Sequence, residues 1–437
     1  MLFIFLICPI LLFAQSDNIL VIQRLTGPIE FDGLSNEPAW ESIPPLPVIM
    51  YQPVYGKNPS EKTEIRIAYN DDYLFVSGRL YDSEPQKIQV VSLERDGGAL
   101  GNDWFGIVLD SFDDNENAFQ FFTTPAGNRF DAAVINDAEG DFPININWNS
   151  FWDAASVKND KGWFAEIRVP WSSLRFQRKN DQIKMGVIAW RYIARKNEFA
   201  IFPNIPPNWD WGFIKPSQAQ DISLSNINSQ SLLYITPYLL GGTAQSSRTN
   251  ESETRYNFES DLSKELGLDL KYGITSNLTL DLTLNTDFAQ VESDDPQVNL
   301  TRFSLFFPEK RLFFQERDDI FNFTFGGPTK LFYSRRIGLF DIGDDDYRQV
   351  PIIGGLRITG RIGKWDVGLL EMQTTEARFE ESDEVDSTIT VPSENFGVAR
   401  IRKQVFNPYS YIGGIFTSRV GKSDNSNYNL GFDGSLR

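Results

Sequence analysis

The sequence predicts an all-β protein in two parts: an N-terminal β-sandwich, then part of an antiparallel transmembrane β-barrel. Three observations carry that prediction. The first half breaks into short strands separated by turn residues. The second half has longer strands in which apolar and polar residues alternate. Nine of the ten tryptophans lie before residue 212, so the core chemistry changes between the halves. A chain of 437 residues is long for one domain, at a typical ~150 residues each.

The first element is a leader. An apolar run, Leu2 to Phe13, ends at Phe13-Ala14-Gln15-Ser16. It is too short to span a bilayer as a helix, which takes ~20 residues, but it has the length of a signal-peptide core. Residues 1–15 are therefore expected to be an export signal. The single cysteine, Cys8, lies within it. A processed chain would carry no thiol, as suits an oxidising periplasm.

Composition narrows the functional classes. The formal charge is −18, from 59 acidic and 41 basic residues, which argues against a nucleic-acid partner. The absence of histidine removes Ser-His-Asp and Cys-His catalysis and His-ligated zinc. Aromatic residues make up 14% of the chain, enough to fill large cores.

Region 19–228 is predicted to be the sandwich. Strands are read at 63–69, 73–81, 104–109, 118–123, 129–135, 163–169 and 185–193, with turns at Asn70-Asp71-Asp72, at 110–115 and at Pro125-Ala126-Gly127-Asn128. Short strands at this spacing are the pattern of a sandwich. The Ser/Asn/Gln-rich stretch 223–231 marks the boundary.

Region 230–437 is predicted to be the wall of an outer-membrane-type β-barrel, with only part of the barrel expected in this chain. In Leu278-Thr279-Leu280-Asp281-Leu282-Thr283-Leu284 every second residue is leucine. Similar segments are read at 232–240, 352–361, 364–373, 395–403, 411–419 and 428–436. Each approaches the roughly 9–11 residues of a tilted membrane strand. A water-soluble sheet with one wet face has the same local pattern, so periodicity alone leaves both open. The Phe-rich stretch 303–325 is interrupted by Pro308-Glu309-Lys310-Arg311 and is expected to pack on or in the barrel.

The residues Phe31-Asp32-Gly33-Leu34-Ser35-Asn36-Glu37-Pro38-Ala39-Trp40 resemble the opening signature of family-nine carbohydrate-binding-module-like sandwiches. Tyr69 to Val76, Asp103 to Asp110, Trp163 to Pro170 and Ser173-Leu174-Arg175-Phe176 follow in the family's order, covering about 28–215. The second region resembles a domain of unknown function found behind such modules in envelope proteins of Bacteroidetes-like bacteria. That resemblance rests on Asn285 to Glu292, Asn299 to Phe303, Phe307 to Arg311, Phe313 to Glu316 and Tyr333 to Gly338. It implies an outer-membrane β-barrel.

Sugar binding stacks an aromatic ring on the apolar face of a pyranose, with amides and carboxylates on the hydroxyls. Trp148 and Trp152, with Asn147 and Asn149, form the first candidate; Trp209 and Trp211 form the second. Each tryptophan serves equally well as core. Asp110, Asp113, Asp114 and Asn115, with Glu116 beside them, are a candidate structural calcium site, although the spacing is not an EF-hand. A solvated acidic turn reads the same way. Glu292, Asp294, Glu309 and Glu316 lie near Arg302, Lys310, Arg311, Arg335 and Arg336, where salt bridges inside a barrel are the simplest account and a glycosidase carboxylate pair the alternative.

These features together predict an exported outer-membrane protein that binds a saccharide or glycan, contacts lipid, and serves polysaccharide uptake or catabolism. A carboxylate-based glycoside hydrolase and a structural envelope protein without sugar binding are the alternatives.

Overall fold

In a computed structural model the chain is built almost wholly of strands and turns. The structure describes residues 19–98, 101–140, 143–179, 181–227, 233–249, 256–275, 277–286, 309, 311–315, 317–323, 330–341, 347–382, 385–407, 410–422 and 426–436. The all-β expectation holds.

Residues up to Ser225 form two facing sheets. In the smaller sheet the order is Asp153–Asn159, Gly162–Pro170, Tyr73–Tyr81, Thr63–Tyr69 and Gln23–Arg24. The larger sheet is centred on Gln182–Ile193, which pairs with Trp104–Asp110 on one side and Gln220–Ser225 on the other. Trp104–Asp110 continues through Ala118–Thr123 to Arg129–Val134. Phe105, Ile107, Phe121, Trp163 and Ile167 meet between the sheets. Each large side chain buried there contributes roughly 1.5–3 kcal/mol.

The larger sheet is buried on its other face too. Trp104, Val108, Phe122, Trp190 and Tyr192 pack there against Ile205 and Ile214 of the segment that follows Glu198–Phe202. This explains why Trp104–Asp110 is buried at every position rather than at alternate ones.

The second region is one eight-stranded antiparallel sheet in sequence order: Leu233–Thr249, Tyr256–Thr275, Leu278–Leu284, Ile352–Ile362, Trp365–Thr374, Glu394–Gln404, Tyr411–Gly421 and Ser426–Ser435. Among the described residues its first and last strands are not paired with each other, so the sheet is open. The first strand spans 17 residues, well beyond the expected 232–240. The connection that follows Trp365–Thr374, residues 375–393, folds back as a hairpin of Ala377–Ser382 and Val385–Val391.

One face of this sheet buries polar and charged residues while the other exposes apolar ones. On Leu278–Leu284 the buried residues are Thr279, Asp281 and Thr283, while Leu282 and Leu284 are exposed. Arg357, Thr359 and Arg361 are buried on the next strand, while Ile353 and Ile362 are exposed. Arg400 and Arg402 are buried and Ile401 between them is exposed. Leu369, Ile412, Phe416, Leu430 and Phe432 extend the exposed apolar face.

Part of the segment between Leu284 and Ile352 lies on the polar face. Phe313, Phe314, Phe321 and Phe323 cluster with Leu370, Met372, Val398 and Ile415 of the wall. The approach is close: a Cβ at Gly368 would lie 2.6 Å from Ile320 Cγ2. The described part of the Phe-rich stretch thus forms a plug-like cover on the polar face of the sheet, termed the plug below.

Candidate functional site

The inner face is held by ion pairs. Arg400 is bidentate to Asp433, and Arg419 pairs with Glu394 at 2.8 Å. Asp281 lies between Lys271 at 3.5 Å and Arg357 at 3.7 Å. Two wall arginines also hold the plug: Arg357 donates to the Phe313 carbonyl at 3.0 Å and Arg400 to the Ile320 carbonyl at 3.2 Å. Within the plug, Arg311 clamps both oxygens of Glu309 at 2.9 Å, and Ser334 donates to the same carboxylate. Glu309 is therefore occupied as a structural counter-ion. Glu292, Asp294, Glu316, Arg302 and Lys310 lie outside the described residues.

The acidic turn after Trp104–Asp110 lies against this sheet. Asp110 accepts the backbone N–H groups of Asp114 and Asn115, and Asp114 Oδ1 accepts those of Glu116 and Asn117. Asp113 faces Lys184 at 3.4 Å. The other oxygen of Asp114 faces Arg317 of the plug and Arg361 of the wall, each at 3.7 Å. Glu116 faces Arg402 at 3.7 Å, and the Arg317 guanidinium lies 4.2 Å from the centre of the Phe112 ring.

The carboxyls of the turn separate electrostatically. Burial pushes Asp110 well above the usual range, with the Asp114 charge adding to it. Burial also raises Asp113, against the pull of Lys184. For Asp114 burial acts upward, yet Arg361, Arg317 and the amides of Glu116 and Asn117 outweigh it and hold the group below its ordinary value. Of the four residues expected to bind calcium, Asp110, Asp113 and Asp114 have their carboxylates engaged by backbone amides and cationic side chains, and Asn115 gives its backbone N–H to Asp110. Among the described residues no group of three or more His, Cys, Asp or Glu side chains is arranged to hold a metal.

The first tryptophan constellation is core rather than platform. Trp148 stacks on Phe119 at 4.3 Å with an interplanar angle of 12°, and Trp152 meets Phe121 edge-on at 5.4 Å. Both are buried, so neither offers a ring face to a pyranose. Asn149 accepts from Arg95 and donates to the Asn147 carbonyl. The neighbouring Phe151 stacks on Tyr234, the second residue of the first wall strand, at 5.7 Å. A run dense in aromatics and amides looks alike in sequence whether it closes a core or lines a cleft.

The second constellation is open. Trp209 is 41% and Trp211 47% exposed, on the segment that covers the larger sheet. Lys215 Nζ lies 5.5 Å from the Trp209 ring centre, and Trp211 leans on Phe213 at 5.9 Å. Trp211 adopts φ 55°, a left-handed conformation that costs a bulky residue ~1–3 kcal/mol. Asn208 and Asp210 beside them are exposed, and Tyr55 donates to Asn204 nearby in sequence to the platform.

One buried carboxylate ties the sandwich's opening to its core. Glu166 accepts the N–H groups of Asp32 and Gly33, at 3.1 and 2.9 Å, and the indole N–H of Trp40 at 3.0 Å. Two of the motifs that carry the family resemblance therefore meet at one side chain. Gly33 sits at φ +91°, and a Cβ there would lie 3.0 Å from the Ala155 backbone. Burial raises Glu166 to about 7, with the charge of Glu37 acting in the same direction.

No curated protein and no solved structure matches the chain. Residues 232–430, which hold nearly all of the eight-stranded sheet, match the model of the family described as a domain of unknown function, DUF5916.

Proposed function

We propose that this chain is an outer-membrane protein whose eight-stranded sheet is a section of β-barrel wall and whose sandwich captures a saccharide for uptake or breakdown. The inverted sheet carries the reading. A soluble sheet buries its leucines and wets its charges. Here Leu282, Leu284, Leu369 and Phe416 face outward while Asp281, Arg357, Arg361 and Arg400 are enclosed. Lipid outside and a polar interior account for that arrangement. Several wall strands have 10 or 11 residues, the length a tilted membrane strand requires.

The saccharide half rests on Trp209 and Trp211, two exposed rings with the exposed Asn208 and Asp210 beside them in the chain, and on the resemblance of the sandwich to carbohydrate-binding modules. Membrane fractionation with gel mobility before and after boiling tests the wall. Retention in the outer membrane and a shift on boiling support it; a soluble product with unchanged mobility overturns it. Glycan-array binding by the full chain, lost in Trp209→Ala with Trp211→Ala, tests the head.

A further inference from the structure

We propose that the sandwich faces the periplasm and caps the short-turn mouth of the barrel, held there by an ionic latch centred on Asp114. This rests on the barrel reading above and adds a side and a contact surface to it.

The two ends of the wall differ. At one end the connections are short: 276–277, the pair Gly363-Lys364, and 405–410. At the other end the chain leaves Leu284 and returns to Ile352 through a connection of more than 60 residues; the hairpin-bearing 375–393 connection and the protruding ends of the 17- and 20-residue strands lie there too, with one short connection, 422–425. Outer-membrane barrels turn tightly on the periplasmic side and carry long loops outside. The short-turn end is thus the periplasmic one.

The sandwich meets that same end. Arg361 is two residues before Gly363, and Arg402 precedes the 405–410 turn. Both face the acidic turn, through Asp114 and Glu116. Phe151 stacks on Tyr234, where the wall begins. The linker 226–232 reaches at most ~25 Å, shorter than the ~35 Å of an eleven-residue strand, so the head cannot pass to the far end.

Charge fits the contact. On the barrel side Arg317, Arg361 and Arg402 converge on Asp366 at 3.3, 3.7 and 4.0 Å, three cations around one carboxylate. Asp114 and Glu116 bring these six side chains to neutrality. Arg317 belongs to the plug, Arg361 to the wall and Asp114 to the head, so one node joins all three parts. Opposite charges placed this way fix register between two surfaces.

The test uses the full chain in a Gram-negative envelope. Lys161→Cys marks an exposed turn of the head, and Thr388→Cys marks the hairpin at the opposite end. A membrane-impermeant maleimide should label Thr388→Cys on intact cells, and Lys161→Cys only after the outer membrane is permeabilised. Labelling of Lys161→Cys on intact cells overturns the proposed side. A short bis-maleimide should join Glu116→Cys to Arg402→Cys in the membrane-bound protein; single labelling of each without joining overturns the latch. Boiling-dependent mobility is read on the same samples. A protein without it fails as a barrel, and the proposal falls with that reading; a heat-modifiable protein with a surface-labelled head fails on this proposal alone.

Discussion

Asp114 and Arg361 stand 247 residues apart in the chain and 3.7 Å apart in space, both enclosed, one on the sandwich and the other on the wall. Arg317 completes the triangle from the plug. Removing one partner of a buried ion pair strands the rest, at a cost of ~3–5 kcal/mol. Asp114→Ala is therefore expected to loosen the head. Limited proteolysis at 226–232 should release it faster than from the unaltered protein, and an unchanged rate would refute this.

The proposed lipid face gives a sharper contrast. Leu369 is 43% exposed on the outer face. On a water-soluble surface Leu369→Arg would change stability by within about 0.5 kcal/mol. Against lipid it costs ~2–4 kcal/mol near the midplane. Reduced yield of heat-modifiable protein in the outer membrane is the expected result.

Packing between plug and wall is tested at glycine. At Gly368 a Cβ would strike Ile320 and Phe321 at 2.6 and 2.9 Å, whereas at Gly241 it would meet nothing within 4 Å. Gly368→Ala should lower the unfolding temperature, at ~1–3 kcal/mol for overpacking. Gly241→Ala should leave it nearly unchanged.

The two tryptophan pairs should separate by phenotype. Trp148→Ala removes a core ring and is expected to cost ~3–5 kcal/mol in thermal unfolding. Trp209→Ala should leave unfolding almost unchanged while abolishing saccharide binding.

Glu166 predicts a pH dependence. Its folded value, about 7, lies above the ordinary carboxyl value, so the folded state holds a proton that the unfolded chain gives up. Its contribution is therefore favourable below about pH 4.5 and is lost as pH rises through 7, by up to ~3 kcal/mol. Glu166→Gln should flatten that slope in urea titrations of stability between pH 5 and 8. A slope equal to that of the unaltered protein would count against it.

Strand positions were legible because alternation is local. The readings 63–69, 73–81 and 118–123 coincide with the observed strands, and most wall strands agree within a residue or two at each end. Alternation does not say which face meets solvent, so the inversion at Asp281, Arg357 and Arg400 emerges only once the strands are paired. The acidic turn was misleading for a related reason: its carboxylates are answered by Arg317, Arg361 and Arg402, about 200 residues or more further along. Trp148 and Trp152 sit in a loop-like run, yet Phe119 and Phe121 claim their faces. Trp209 and Trp211 look the same in sequence, and only burial tells the pairs apart.

The enclosed charges and outward leucines also bear on how the protein is made. In water the wall would offer neighbouring copies a greasy surface and, among the described residues, the outer edges of Leu233–Thr249 and Ser426–Ser435. Transit through an aqueous compartment would then demand an escort or haste, while the sandwich, with its core already closed, could mature ahead of insertion.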